Sequence, residues 1–164
     1  MAFQDQVQTY PSKAVPGQRA SGNTVVYKTP TPLAHDDVPV GGFVFELPSP
    51  TAGAVQSSST FVSNANCAGF IERIQTNINF DPTVGYSAVI PASYPAATAV
   101  KGEFYVKAET AAVIGQEVFA DITGTGKIKT AAHGATVSGY MPTGWYVKTA
   151  QATVGEICII SNWS

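Results

Sequence analysis

Charge is the scarcest commodity in this 164-residue chain. Nine Lys and Arg and eleven Asp and Glu give a net charge of −2 and 12% charged residues, about half the usual share of a soluble domain. The basic residues are scattered between Lys13 and Lys148. Binding DNA or RNA needs Lys and Arg gathered on one face to displace counterions from phosphate, so nucleic acid is set aside as a partner. No stretch approaches the roughly 18 uninterrupted apolar residues of a membrane-spanning helix. The opening Met1-Ala2-Phe3-Gln4-Asp5-Gln6 has neither the basic start nor the apolar core of a signal peptide. A soluble, unexported chain without a membrane partner is expected. Cysteine is sparse as well: Cys67 and Cys158 allow at most one bridge, and separation along the chain does not say whether they meet. Cys158 lies in the run Ile157-Cys158-Ile159-Ile160, where a buried free thiol serves as a small hydrophobe.

Leucine is nearly missing. Leu33 and Leu47 are the only two, against 18 Val, 10 Ile and 17 Thr. β-branched side chains lose rotamer freedom in a helix and pack well on a pleated sheet, so the fold is all-β. Fifteen Gly and eleven Pro spread along the chain supply the turns between short strands. The expected architecture is a β-sandwich of jelly-roll type, or two small linked β-barrel modules, with an extended N-terminal arm. The arm is placed at residues 1–35 and the β-rich domain at 36–164, with possible modules at about 36–99 and 100–164. Pro11, Pro16, Pro30 and Pro32 break the first 35 residues and favour extended backbone, and Thr24-Val25-Val26-Tyr27 is their one convincing strand. The arm is more apolar and aromatic than a disordered tail, which makes Phe3, Val7, Tyr10, Pro11, Val15, Val25, Val26 and Tyr27 candidate contacts with a partner or neighbouring subunit.

From Val38 onward strands are expected at residues 42–47, 102–107, 116–121, 127–130, 145–149 and 156–161. The clearest alternation runs from Phe70 to Phe80. It puts Phe70, Ile74, Ile78 and Phe80 on one face with Glu72 and Thr76, and Arg73, Gln75, Asn77 and Asn79 on a wet or shared face. Eleven residues exceed the usual strand length, so a bulge or bend is expected there. A shift of 74 residues lays Val40-Gly41-Gly42-Phe43-Val44-Phe45 over Ile114-Gly115-Gln116-Glu117-Val118-Phe119, with matches at Gly41/Gly115, Val44/Val118 and Phe45/Phe119. A duplication of one β-module would produce that pattern.

Chemistry-bearing motifs are scarce. Gly124-Thr125-Gly126-Lys127 lacks the first glycine and the Ser/Thr of a phosphate loop, Asp121 and Ile128 standing in those places, and reads as a hairpin turn. His35-Asp36-Asp37 offers three metal ligands in a row, but adjacent residues of extended chain point in alternate directions, so a turn is expected and no metal. His133 has no paired nucleophile, and Cys67 with either histidine lacks an orienting acid. No enzyme and no cofactor is expected. Asn162-Trp163-Ser164 matches a glycosylation sequon, which matters only in a secreted protein. Seven Tyr, eight Phe and two Trp could stack on sugars, but Phe43, Phe45, Phe104 and Phe119 lie within expected strands, where aromatics serve as core.

Gly115-Gln116-Glu117-Val118-Phe119, Gly144-Trp145-Tyr146-Val147-Lys148-Thr149-Ala150 and Gly155-Glu156-Ile157-Cys158-Ile159-Ile160-Ser161 resemble the structural cement proteins of tailed-phage heads. So do the leader Gln8-Thr9-Tyr10-Pro11, Val15-Pro16-Gly17-Gln18-Arg19-Ala20 and the stretch from Gly85 to Pro91 before the strand at 102–106. The resemblance implies a virion protein on the capsid surface, made in the host cytoplasm. It would bind the major capsid protein, bridge its subunits and stabilise the expanded head, in keeping with a homo-oligomer, dimer or trimer. β-strand addition through residues 24–27 is the expected binding mode. The competing reading is a phage or bacterial adhesion module that binds glycan or a host surface. Low charge makes apolar and backbone contacts dominant, so capsid binding is expected to persist in about 1 M salt, where the Debye length is ~3 Å. Co-sedimentation with heads across a salt series checks this.

Overall fold

The computed structural model describes residues 14–47, 53–59, 66–74, 79–81, 85–149 and 153–163, with backbone alone for Asn79–Asp81 and Gly85–Ser87. It is all-β: fifteen short strands and no α-helix among the described residues. One six-stranded sheet has the order β1 (Val26–Tyr27), β10 (Thr98–Lys101), β6 (Cys67–Ile71), β4 (Phe43–Glu46), β5 (Ala54–Gln56) and β2 (Leu33–Ala34). A five-stranded sheet has the order β11 (Glu103–Lys107), β15 (Ile157–Ser161), β14 (Tyr140–Thr149), β12 (Glu117–Asp121) and β13 (Ile128–Ala131). Two ribbons, β3 (Val38–Pro39) with β9 (Val89–Ile90) and β7 (Asn79–Asp81) with β8 (Gly85–Ser87), complete the set.

Both sheets curl back on themselves. In the second, Ala108 just past β11 bridges Ile128 of β13 in parallel, and the Glu109 N–H donates to Ile128 O at 2.8 Å. Beyond that point the outer edge of β13 is capped by a side chain. Thr110 Oγ1 accepts from the Thr130 N–H at 2.8 Å and donates to Thr130 O at 3.2 Å. In the first, β1 and β2 are the two ends of one extended stretch that runs antiparallel to residues 94–101. Lys28 N donates to Thr98 O, Ala96 N to Pro32 O and Ala34 N to Tyr94 O, at 2.9, 2.8 and 2.8 Å. Closure of this kind satisfies backbone groups that an open sheet leaves exposed.

Four strands of each sheet hold equivalent places: β10-β6-β4-β5 and β15-β14-β12-β13 are the same run of antiparallel neighbours, and β4 and β5 begin 74 residues before β12 and β13. Gly41 N donates to Ile71 O and Ile71 N to Gly42 O at 2.8 and 2.9 Å. Gly115 N donates to Val147 O and Val147 N to Gln116 O, both at 2.9 Å. The parallel Leu33↔Ala54 pair has its counterpart in Ala108↔Ile128.

Two apolar clusters fill the molecule. Ala34, Val38, Val44, Val55, Ala68, Ile71, Ile90 and Ala96 lie on one face of the first sheet. Its other face carries Phe43, Phe45 and Phe70 into a cluster shared with Phe104, Val118, Met141, Trp145, Val147 and Ile160. Phe70 stacks on Phe104 with centroids 4.7 Å apart, and Phe43 meets Phe70 and Trp145 edge-on at 5.2 and 5.8 Å. Strands β4 and β6 are therefore buried on both faces: Phe70 and Ile71 point opposite ways and both are fully buried. This corrects the expected wet face of the stretch from Phe70 to Phe80. Pairing in β6 ends at Ile71, Glu72 is buried, and the next strand begins at Asn79. Residues 75–78 lie outside the described residues.

The expected arm divides. Phe3, Val7, Tyr10 and Pro11 lie outside the described residues. From Gly17 the chain is woven into the body: Gly17 N donates to Tyr105 O, Tyr105 N to Gln18 O and Ala20 N to Glu103 O, at 2.7, 2.9 and 2.8 Å. The expected strand at residues 24–27 forms as β1, but its partner is β10 of the same chain. Val25 is buried in the shared cluster. An apolar side chain beside a half-built aromatic core gains more from folding onto it than from waiting for a partner.

Phe70→Ala opens a void between the sheets and is expected to lower the unfolding free energy by about 3–5 kcal/mol, read from urea denaturation. Ile159→Ala, half-buried on β15, serves as the mild control.

Candidate interface

The residues first suspected of chemistry are structural. Asp36 accepts from Ser57 N and Ser57 Oγ at 2.8 and 2.6 Å, and Asp37 from Ala92 N at 3.2 Å. The His35-Asp36-Asp37 trio thus ties two loops together, with His35 exposed. No group of three potential metal ligands occurs among the described residues. The loop after β12 is organised by Asp121, which accepts from the backbone N–H groups of Thr123 and Thr125 at 3.1 and 3.0 Å and from both their hydroxyls. His133 is exposed, with Nδ1 3.0 Å from the buried Glu117 carboxylate. The thiols of Cys67 and Cys158 are free, and burial pushes them up to about 12 and about 11, far from thiolate at neutral pH.

Of the contact residues expected in the described part of the arm, Val15 and Val26 are exposed at 38% and 41%. Tyr27 is half-buried and its hydroxyl donates to Glu72, which also receives Arg19 at 3.3 Å. Burial, then the bond to Glu72, raises the Tyr27 pKa. Val25 and Tyr27 therefore serve the fold, whereas Val15 and Val26 face outward.

Sequence reasoning missed a second apolar surface. Val113, Ile114, Tyr146 and Trp163 are all exposed, and the last three stand around a cleft of about 370 Å³ that also includes Gly115, Gly144 and Asn162. The turn that carries Val113 and Ile114 has a double at the other end of the chain. Gln116 N donates to Val113 O at 3.1 Å and Gln116 Oε1 accepts from Val113 N at 3.0 Å; Gln18 and Val15 make the same two bonds at the same distances. Gly17 and Gly115 hold φ of 89° and 85°, the left-handed third position of a type II turn. The recurring Val-x-Gly-Gln was the available signal. Its apolar first residues are turn tips.

Asn162, Lys148 and Ser161 beside the cleft are engaged within the chain. Asn162 Oδ1 accepts from Gly102 N at 3.0 Å and its Nδ2 donates to Val100 O. Lys148 pairs with the buried Glu103, and Ser161 Oγ accepts from Trp163 N at 3.1 Å. Lys101 stands over the Trp163 ring at 5.4 Å. What the cleft offers a partner is chiefly apolar side chain.

With this geometry in hand, comparison with known proteins is direct. Residues 3–162 match the family described as structural cement protein (E217 gp24/Pam3 gp6). The chain belongs to this family, and is thus a structural, capsid-associated phage protein. No curated protein matches it. Among solved structures it is similar to a chain from the capsid of Myoviridae phage XM1, with a TM-score of 0.62 and 19% identity over 99% of this chain and 98% of that one, a likeness of fold.

Two carboxylates make the fold acid-sensitive. Hydrogen bonds from Lys148 and Ser21 hold Glu103 below its ordinary value of 4.5. Burial opposes the charge of Asp121, but the bonds from Thr125 and Thr123 outweigh it and lower its pKa below 3.8. Groups depressed in the fold stabilise it fully above their ordinary values and lose that contribution as pH falls through the folded ones. The Tm is expected to decline below about pH 4.5, and Asp121→Asn to flatten part of that decline, by scanning calorimetry in a pH series.

Proposed function

We propose that this protein binds the outside of a tailed-phage head and bridges neighbouring major capsid subunits, stabilising the expanded shell. The single observation that carries the reading is the family match over nearly the whole chain. The fold adds physical support: two curled sheets locked by one aromatic cluster make a rigid body, and its exposed apolar side chains, among them Val15, Val26, Ile114 and Trp163, lie on a surface with few charges. A ligand that binds the assembled shell and not its separated parts stabilises the shell by linkage, by about 2.7 kcal/mol per site at a hundredfold excess over Kd. Summed over many sites, that resists pressure from packaged DNA. In the same reading the chain is made in the host cytoplasm, acts as a homo-oligomer without catalysis, and divides near residue 100 into two β-modules. Phe3, Val7, Tyr10 and Pro11, with Val15 and Val26, form its contact set toward a neighbouring subunit.

One observation favours the alternative of a glycan-binding adhesion module: Tyr146 and Trp163 flank an open cleft. Sugar recognition also needs free polar groups beside the rings, and those bordering this cleft are engaged within the chain.

Co-sedimentation with undecorated heads tests the proposal. Saturable binding to expanded heads and not to unexpanded ones is expected, with at least about a tenfold loss of affinity when residues 1–13 are removed. That truncation spares residues 17–20, which the β11 edge requires. Absence of binding to either head, with binding on a glycan array, overturns the capsid reading in favour of the adhesion module.

A further inference from the structure

The fold gathers lysines that the sequence scatters. Where the second sheet closes, Ala108 bridges Ile128, and both side chains enter the shared cluster. On extended chain the neighbours of an inward residue point outward. Lys107 and Glu109 therefore stand on the outer face of this seam together with Lys127 and Lys129. All four line a groove of about 800 Å³, within the size of ligand clefts. Three of the chain's seven lysines thus meet in one place. The turn at Val154 and Gly155 borders it, and a Cβ at Gly155 would lie 3.4 Å from Lys107 Cε. Glu109 Oε1 pairs with Lys127 at 2.9 Å, and its Oε2 accepts from the Tyr140 hydroxyl at 2.8 Å. Lys129 stands 4.3 Å over the Tyr140 ring. Among the described residues, neither Lys107 nor Lys129 pairs with a carboxylate. The nearby acids are committed elsewhere: Asp121 accepts from its own loop, and Glu156 from the Thr153 N–H at 3.3 Å.

Resting on the capsid reading, we propose that this groove receives an extended acidic segment of the major capsid protein. Its lining carries three ammonium groups against one carboxylate, on a chain whose net charge is −2. Charge complementarity of this kind selects a partner and fixes its register. Val154, 59% exposed, and Pro16 add apolar contact beside the lysines, which suits the alternating side chains of an extended peptide. The chain's own leader does not match: residues 1–13 hold Asp5 against Lys13 and bring no net negative charge. Phosphate matches no better. It is cradled by backbone N–H groups or forked by Arg. Here the N–H groups of Thr123 and Thr125, in the loop before Lys127, are spent on Asp121, and no Arg lines the groove among the described residues. Lysines set on separate segments present single point charges, each suited to one carboxylate.

Co-sedimentation with undecorated expanded heads, using the full chain, Lys107→Glu, Lys129→Glu and Lys101→Glu, provides the test. In low salt each groove substitution is expected to weaken binding about fivefold, the scale on which an exposed ion pair turns into a repulsion. Lys101→Glu makes the same change in net charge outside the groove and is expected to bind like the full chain. In about 1 M salt, where the Debye length is ~3 Å, the deficits close and all four chains remain bound. Circular dichroism confirms folding, and Lys107→Ala and Lys129→Ala replace any reversal that does not fold. Groove variants that bind like the full chain in low salt, or an equal loss in Lys101→Glu, would overturn the proposal and leave the capsid reading standing. A DNA oligonucleotide that binds the full chain and not Lys107→Glu would assign the groove to nucleic acid and overturn it as well. A full chain that binds no head would overturn the capsid reading itself, and this proposal with it.

Discussion

Burial of four aromatic rings between the two sheets is the interaction on which the rest of this structure depends. Phe43 and Phe70 come from the first sheet, Phe104 and Trp145 from the second, and their stacked and edge-on contacts suit the quadrupoles of the rings. Ion pairs offer little substitute. Lys127 and Glu109 are both exposed, and pairs of that kind contribute about 0–1 kcal/mol. Each sheet alone would be a barrel near the size at which a single core barely outweighs chain entropy. Joined through the rings, they share one core.

That economy suits a structural, capsid-associated protein. Polar groups are spent on local geometry: Asp121 on its loop, Asp36 on Ser57, Asn162 on the junction at residues 100–102. Some apolar groups left outside, Val15, Val113 and Ile114 among them, sit at turn tips, where rigid backbone presents them at low entropic cost.

The sequence revealed the fold class because composition alone separates β-branched cores from leucine-rich ones. It also revealed the correspondence between β4 and β12, through Gly41 and Gly115, since a left-handed turn restricts residue choice. Two places resisted. Alternation presumes one wet face, and β6 has none: Phe70 and Ile71 are both buried, so the period read from Phe70 onward did not describe the strand. Val25 and Tyr27 looked like partner anchors because a sequence cannot show that the nearest apolar surface belongs to the same chain. The cleft at Ile114 and Trp163 was illegible for a related reason: it joins a turn to the last described strand and exists only after the second sheet has curled.

The hydroxyl of Thr110 has a wider consequence. By occupying both backbone groups of Thr130 it blunts the strand edge at which another copy would most easily continue the ladder. An open edge at high protein concentration invites fibres. With that edge stopped by a single side chain, copies do not assemble by strand pairing there.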